Sequence, residues 1–237
     1  ALSMALREAN GGTSWTTWNV LVDPRTRAPL PNANTQLADR IRFIEFEQFL
    51  FDRQWRALRK YASERGIAVI GDIPIYVGGD SADVWSHRDL FLLNEHGDAE
   101  EMAGVPPDYF AATGQLWRNP IYNWPEMASR GYRWWVDRLR ATLQQVDLVR
   151  IDHFRGFEAY WSVPAGEETA INGRWVPGPR DDLFLALAKG LSAEPADLPL
   201  IAEDLGTITA EVTALRQRFH MPGMRVLHFE FMDWDDR

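Results

Sequence analysis

Apolar positions along the chain alternate between two rhythms, a helical stripe and then a short unbroken run. From about Arg40 to Arg65 the stripe is Phe51, Trp55, Leu58 and Ala62, with Gly66 placed as a C-terminal cap. Ile67–Ala68–Val69–Ile70 follow, too short and too β-branched for a helix; they predict a strand covered on both faces and ending at Gly71–Asp72. The order repeats. A helix over Arg130–Gln145, striped by Trp135, Leu139, Thr142 and Val146, precedes the apolar run Leu148–Ile151 and then Asp152. A helix over Leu183–Leu191, striped by Phe184, Leu187, Ala188 and Leu191, precedes Pro199–Ala202 and Glu203, and a helix near Ala210–Phe219 precedes Arg225–Phe231.

Helices alternating with short apolar strands predict a parallel sheet, because each helix returns the chain to the edge where the previous strand began. The fold expected is α/β, a partial (β/α)8 TIM barrel of about four parallel strands, with residues 1–237 forming one partial catalytic domain. Asp72, Asp152 and Glu203 each follow a predicted strand, so all three collect at the C-terminal edge of the sheet, where such folds place their chemistry. Two long excursions, Tyr76–Met127 and Phe154–Asp182, leave from that same edge and are expected to roof it. The first 35 residues, with Pro24, Pro29 and Pro31, read as loop with a short initial helix. A closed barrel needs eight strands, so the expectation is an excerpt of a longer chain whose unpaired strand edges invite self-association.

Composition narrows the partners. A formal net charge of −9 argues against nucleic acid, which is held by clustered Lys and Arg. With no cysteine there is neither a disulfide framework nor a thiolate metal site, and a reducing cytoplasmic location is expected. No stretch approaches the roughly 20 apolar residues of a membrane helix. Eleven tryptophans are many for this length, and Trp85, Trp117, Trp124, Trp161 and Trp175 lie among turn-forming residues.

Two carboxyl groups flanking a glycosidic bond can divide its chemistry: one attacks the anomeric carbon while the other protonates the leaving oxygen and then activates the acceptor. Asp152 lies two residues after Arg150, so an extended backbone puts both on one face and the guanidinium favours an ionised nucleophile. Glu203 follows Ile201 and Ala202, apolar neighbours that suit a general acid. Spacing alone fits a structural Arg150–Asp152 ion pair and a helix-start charge at Glu203–Asp204 equally well. A metal hydrolase using Asp72, Asp152 and Glu203 is the weaker alternative, since His153 has no second histidine at ligand spacing. Asp80 and Asp83 read as cap or turn residues before Val84–Trp85.

Four stretches separate these readings: Gly71–Asp72–Ile73–Pro74–Ile75–Tyr76–Val77, Gly104–Val105–Pro106–Pro107–Asp108–Tyr109–Phe110, Val149–Arg150–Ile151–Asp152–His153–Phe154–Arg155–Gly156–Phe157 and Ile201–Ala202–Glu203–Asp204–Leu205–Gly206. In this order they resemble the 4-α-glucanotransferases of the amylomaltase (disproportionating enzyme) family. The likeness runs from about Trp15 to the C-terminus and includes Asn119–Pro120 and Pro222–Gly223–Met224. It implies a retaining transfer of α-1,4-glucan segments to glucose or maltooligosaccharide acceptors, with neither metal nor organic cofactor. It also implies Asp152 as nucleophile, Glu203 as acid/base, Asp72, Arg150 and His153 as sugar contacts, and Asp108–Trp117 as a loop closing over the glucan through Asp108, Tyr109, Phe110, Gln115 and Trp117. Two departures stand out. Arg118 occupies a position where the family usually has Gly, and the third catalytic Asp of the family, in a Thr–His–Asp–Asn motif, is not matched by Asp233, Asp235 or Asp236. The alternative is therefore a glucan-binding or folding fragment without activity.

Overall fold

The computed structural model describes residues 1–109 and 111–230, with backbone only at 229 and 230; Phe110, Phe231, Asp233, Asp235 and Asp236 lie outside the described residues. Seven strands form among them: β1 (Ile70–Pro74), β2 (Glu101–Val105), β3 (Gln115–Pro120), β4 (Leu148–Asp152), β5 (Ala159–Pro164), β6 (Arg174–Pro177) and β7 (Leu200–Ala202). The chain divides into two compact units, one of 1–67, 76–127 and 161–175, the other of 68–75, 128–160 and 176–237.

The second unit carries the parallel sheet, in the order β1-β4-β7. Ile70 pairs with Leu148 and Pro74 with Asp152 across β1 and β4, and Val149 pairs with Leu200 and Ile151 with Ala202 across β4 and β7. The helices Arg133–Leu143, Arg180–Leu191 and Ala210–Arg218 belong to the same unit. They bury Trp135, Leu139, Phe184, Leu187 and Val212 as their apolar stripes require. An aromatic cluster fills the core, Phe184 lying 5.4 Å from Phe157, 5.6 Å from Phe154 and 5.2 Å from Phe219 between ring centres.

Three features of this sheet differ from expectation. β1 begins three residues late, with Ile67 and Ile70 both more than half exposed, because pairing with β4 rather than local apolar content sets its limits. The strands are also covered on one face only. Val149 and Ile151 are buried while Arg150 and Asp152 on the opposite pleat stay half-exposed, a placement suited to charged groups that must meet solvent or one another. The third difference is that the sheet has three parallel strands among the described residues. Residues Leu227–Glu230 form a helical turn in place of a fourth strand. The Ala202 N–H of β7 donates to the Pro222 carbonyl, ahead of this turn.

In the first unit the two excursions build one antiparallel sheet, β3-β2-β5-β6. Glu101 pairs with Pro164 and Gly104 with Trp161, while Gly104 also pairs with Leu116 and Met102 with Pro120. One residue of β2, Ala103, thus faces three of β3, a bulge containing Trp117, Arg118 and Asn119. Arg118 takes φ +64° there, a left-handed conformation costing a side chain roughly 1–2 kcal/mol. That is the physical reason glycine suits this position. Arg118→Gly should therefore stabilise the chain by roughly 0.5–1 kcal/mol, after allowing for glycine's freer unfolded state, and a raised denaturant midpoint at unchanged slope would show it.

Four tryptophans fasten irregular chain. Their indole N–H groups donate to backbone carbonyls: Trp15 to Gly79 at 2.7 Å, Trp18 to Thr13 at 2.9 Å, Trp85 to Arg27 at 2.9 Å and Trp161 to Ala170 at 2.8 Å. Asp80 lies in a turn as expected, accepting from the Trp15 N–H and pairing with Arg7 at 3.0 Å, whereas the cap of the short helix that contains Asp83 is Ser81. The helix Ala38–Ser63 buries Ile44 but leaves Phe43, Phe46, Phe49, Phe51, Leu58 and Tyr61 about half exposed. The predicted stripe exists, but most of it remains open to solvent. No helix among the described residues is long and apolar enough to cross a membrane.

Candidate active site

Register brings the first carboxylates together. Asp72 lies directly opposite Arg150 across β1 and β4, and Asp152, two residues further along β4, projects to the same face as Arg150. The guanidinium bridges the two. Its Nη1 donates to Asp72 Oδ1 at 2.7 Å and its Nη2 lies 2.9 Å from Asp152 Oδ1. Burial works against the charge on Arg150, but the two carboxylates outweigh it and hold the group above its ordinary range. Asp72 is inside β1, ahead of its end at Pro74, rather than just beyond the strand as the sequence reading put it.

Glu203 follows the last paired residues of β4 and β7, Ile151 and Ala202, so it stands beside Asp152 at neighbouring strand ends, about 4.8 Å apart in the direction of pairing. Its backbone continues the ladder, the N–H donating to the Ile151 carbonyl at 3.0 Å and the carbonyl accepting from Phe154 at 3.2 Å. Its carboxylate is oriented by backbone: Oε2 accepts from the His153 N–H at 2.8 Å and Oε1 from the Leu205 N–H at 2.9 Å. Each oxygen keeps a second lone pair, so the group can carry a proton without surrendering either contact.

His153 makes that orientation possible by adopting φ +55°, which turns its N–H toward Glu203. Burial, with Arg155 as a lesser influence, pushes its imidazole down to about 4, so it is neutral in the fold at physiological pH. An unfolded histidine takes up a proton below about 6.5. Stability should thus be intact above that value and decline as pH falls from about 6.5 to about 4, by up to about 3 kcal/mol from this group. Comparing urea unfolding of the parent and His153→Gln at pH 7 and pH 5 tests this. The variant should lose less stability over the interval, and parallel losses would remove His153 as the cause.

A third contact reaches Arg150 from a residue that sequence reasoning did not assign to the site. Met224 Sδ accepts from Arg150 Nε at 3.0 Å. Its motif, Pro222–Gly223–Met224, was visible, but nothing in the sequence links it to a residue 74 positions earlier. The Arg150 guanidinium occupies the space between Asp72 and Asp152. Among the described residues there is no group of three or more His, Cys, Asp or Glu side chains placed to hold a metal ion.

The remaining candidates lie in the other unit. Asp108 closes a tight turn, its Oδ1 accepting from the Ala111 N–H at 2.7 Å, and Tyr109 beside it is 82% exposed. Gln115 Oε1 accepts from the Trp117 indole at 3.1 Å, and the Trp117 ring lies 6.4 Å from Tyr76. Phe110 is outside the described residues.

Comparison with known proteins places the whole chain in one family. A family model described as 4-alpha-glucanotransferase matches residues 1–237. The chain is 51% identical over 232 residues to a 4-alpha-glucanotransferase of Synechocystis sp., covering 98% of this chain and 45% of that protein. It is 48% identical over 233 residues to the 4-alpha-glucanotransferase of Thermus thermophilus, covering 98% and 46%. The structure of amylomaltase from Streptococcus agalactiae in complex with acarbose superposes with a TM-score of 0.89 at 36% identity, covering 98% of this chain and 46% of that one. The chain thus spans about half the length of the relatives it matches.

Proposed function

This chain belongs to the 4-alpha-glucanotransferase family, and from that premise we propose that the natural protein carrying it transfers α-1,4-glucan segments to glucose or maltooligosaccharide acceptors with retention of configuration. The observation that carries the reading is the Arg150 guanidinium bridging Asp72 and Asp152, with Glu203 at the adjoining strand end.

The Asp152 carboxylate attacks the anomeric carbon of the donor as the bond from that carbon to the leaving oxygen breaks, and Glu203 gives its proton to that oxygen. The shortened glucan departs, leaving a glycosyl ester on Asp152. Glu203, now ionised, takes the proton of an acceptor hydroxyl, whose oxygen attacks the anomeric carbon and returns Asp152 to its carboxylate. Arg150 holds the Asp152 carboxylate in place at the end of β4, while Asp72 takes sugar hydroxyls on the exposed face of the sheet. Neutral His153 lends its N–H to hold Glu203 and offers an uncharged ring to a sugar.

The exposed Tyr109 and the half-buried Trp117 suit the apolar faces of glucose rings. We assign the loop Asp108–Trp117, Phe110 included, the role of closing over the glucan, since excluding water favours an acceptor hydroxyl over hydrolysis. Incubation of the natural protein with maltotriose should yield glucose together with longer maltooligosaccharides. Glucose and maltose alone would instead indicate hydrolysis and overturn the transfer assignment.

A further inference from the structure

Arg150 makes three directed contacts, and two of them change during the proposed reaction. Asp152 loses its charge when it becomes an ester, and Asp72 faces the position of the sugar. The third contact, Nε to Met224 Sδ at 3.0 Å, is independent of both carboxylates. A thioether is a weak, uncharged acceptor, so it can fix the plane of the guanidinium without drawing its charge away from Asp152.

Met224 has no regular secondary structure to hold it; it lies in the irregular segment between the helix Ala210–Arg218 and the turn at Leu227–Glu230. Asp204 supplies the hold. Its Oδ1 accepts from the Met224 N–H at 2.8 Å. On its other side Arg216 Nε approaches Oδ2 to 3.1 Å, off the line of a hydrogen bond, so this contact is an ion pair alone. Both side chains are mostly buried, Asp204 at 15% and Arg216 at 22% exposure, which limits screening by solvent. Arg216 Nη1 also donates to the Met221 carbonyl at 2.9 Å, so the same guanidinium ties down the start of the segment. Between them Gly223 lies so close that a β-carbon there would stand 2.4 Å from Asp204 Oδ2. The sequence Pro–Gly–Met thus allows the backbone to press against the carboxylate and present its sulfur to Arg150.

We infer that Asp204 is a positioning residue for the transfer reaction, acting through Met224 to hold the Arg150 fork in place while Asp152 passes through its covalent intermediate. The inference rests on the proposed function and adds to it a role for the residue next to the acid/base. It predicts an effect on the chemical step and little on substrate affinity, because Asp204 and Met224 act through the Arg150 fork, which bears on the attacking carboxylate.

The test is a double-mutant cycle on the natural protein carrying this sequence, using Met224→Leu, Asp204→Ala and the combination, with maltotriose kinetics and thermal melting measured for each. Met224→Leu keeps the volume but removes the acceptor, and should lower kcat by roughly 10-fold, within the penalty of about 100-fold for a 1 Å misplacement, with KM within about twofold and melting unchanged. Asp204→Ala should lower kcat at least as much, and in the Met224→Leu background it should add less than about twofold. Multiplying effects would show that Asp204 does not act through Met224, and an unchanged kcat in folded Met224→Leu would overturn the inference outright. If Asp204→Ala fails to fold, Asp204→Asn takes its place in the cycle. It keeps the acceptor for the Met224 N–H and should retain more activity than Met224→Leu; equal or greater loss counts against the inference. Asp152→Asn separates the two levels. Turnover surviving that change refutes the proposed function, whereas turnover lost there but kept in Met224→Leu refutes only the positioning role.

Discussion

Asp152→Asn should reduce maltotriose disproportionation by at least ~10³-fold, with little change in the stability of the fold. The two expectations come from the same geometry. An amide has no anionic oxygen with which to form the glycosyl ester, so the first half-reaction loses its nucleophile. Asparagine nevertheless retains an oxygen at the position that meets Arg150 Nη2 at 2.9 Å, and its hydrogen bond can remain. The charge lost is half-exposed, at 47% for the side chain, and pairs of that kind contribute roughly 0–1 kcal/mol. If Asp152 were only a structural partner of Arg150, the substitution would alter stability slightly and turnover not at all. Measuring product formation beside thermal melting distinguishes these cases, and turnover retained in a folded variant rejects Asp152 as the nucleophile.

How far the sequence revealed this site depended on the range of the interactions involved. The spacing of Arg150 and Asp152 was legible because a strand places residues two apart on one face, and the helices were legible from stripes such as Trp135 and Leu139. β1 was misplaced by three residues since the run Ile67–Ile70 has strand-like content, whereas its partner Leu148 pairs first with Ile70. Arg225–Phe231 has similar content, yet the described part of it turns helical at Leu227, showing that apolar residues alone do not supply a neighbouring strand. The antiparallel sheet was hidden inside the excursions. Its strands β2 and β3 contain Gly104, Arg118 and Asn119, residues with little intrinsic preference for strands, and pairing of β2 with β3 on one side and β5 on the other is what extends them. Least legible were backbone donors. The His153 and Leu205 N–H groups that fix Glu203 leave no mark in residue type, and the motif quoted for the family resemblance picked out Glu203 without indicating what holds it.

Those donors shape the expected behaviour of Glu203→Gln. Glutamine keeps one carbonyl oxygen, so it can satisfy either the His153 or the Leu205 N–H, while its amide nitrogen would confront the other donor. A part-buried donor left unmet costs about 1–3 kcal/mol, so this nearly isosteric change should lower stability more than Asp152→Asn does. Its kinetic effect should also be of a different kind. Without a group to protonate the leaving sugar oxygen or to deprotonate the acceptor, maltotriose turnover should fall by roughly 10²–10⁴-fold. A glycosyl fluoride needs no protonation to depart, so Asp152 should still attack it in the variant and release fluoride in a burst, with transfer to the acceptor then slow. Absence of that burst, in a variant shown by melting to be folded and with Asp152 unchanged, would mean that Glu203 serves the first step by something other than proton donation. A burst followed by slow turnover is the pattern that two carboxyl groups with divided roles, on neighbouring strand ends, should produce.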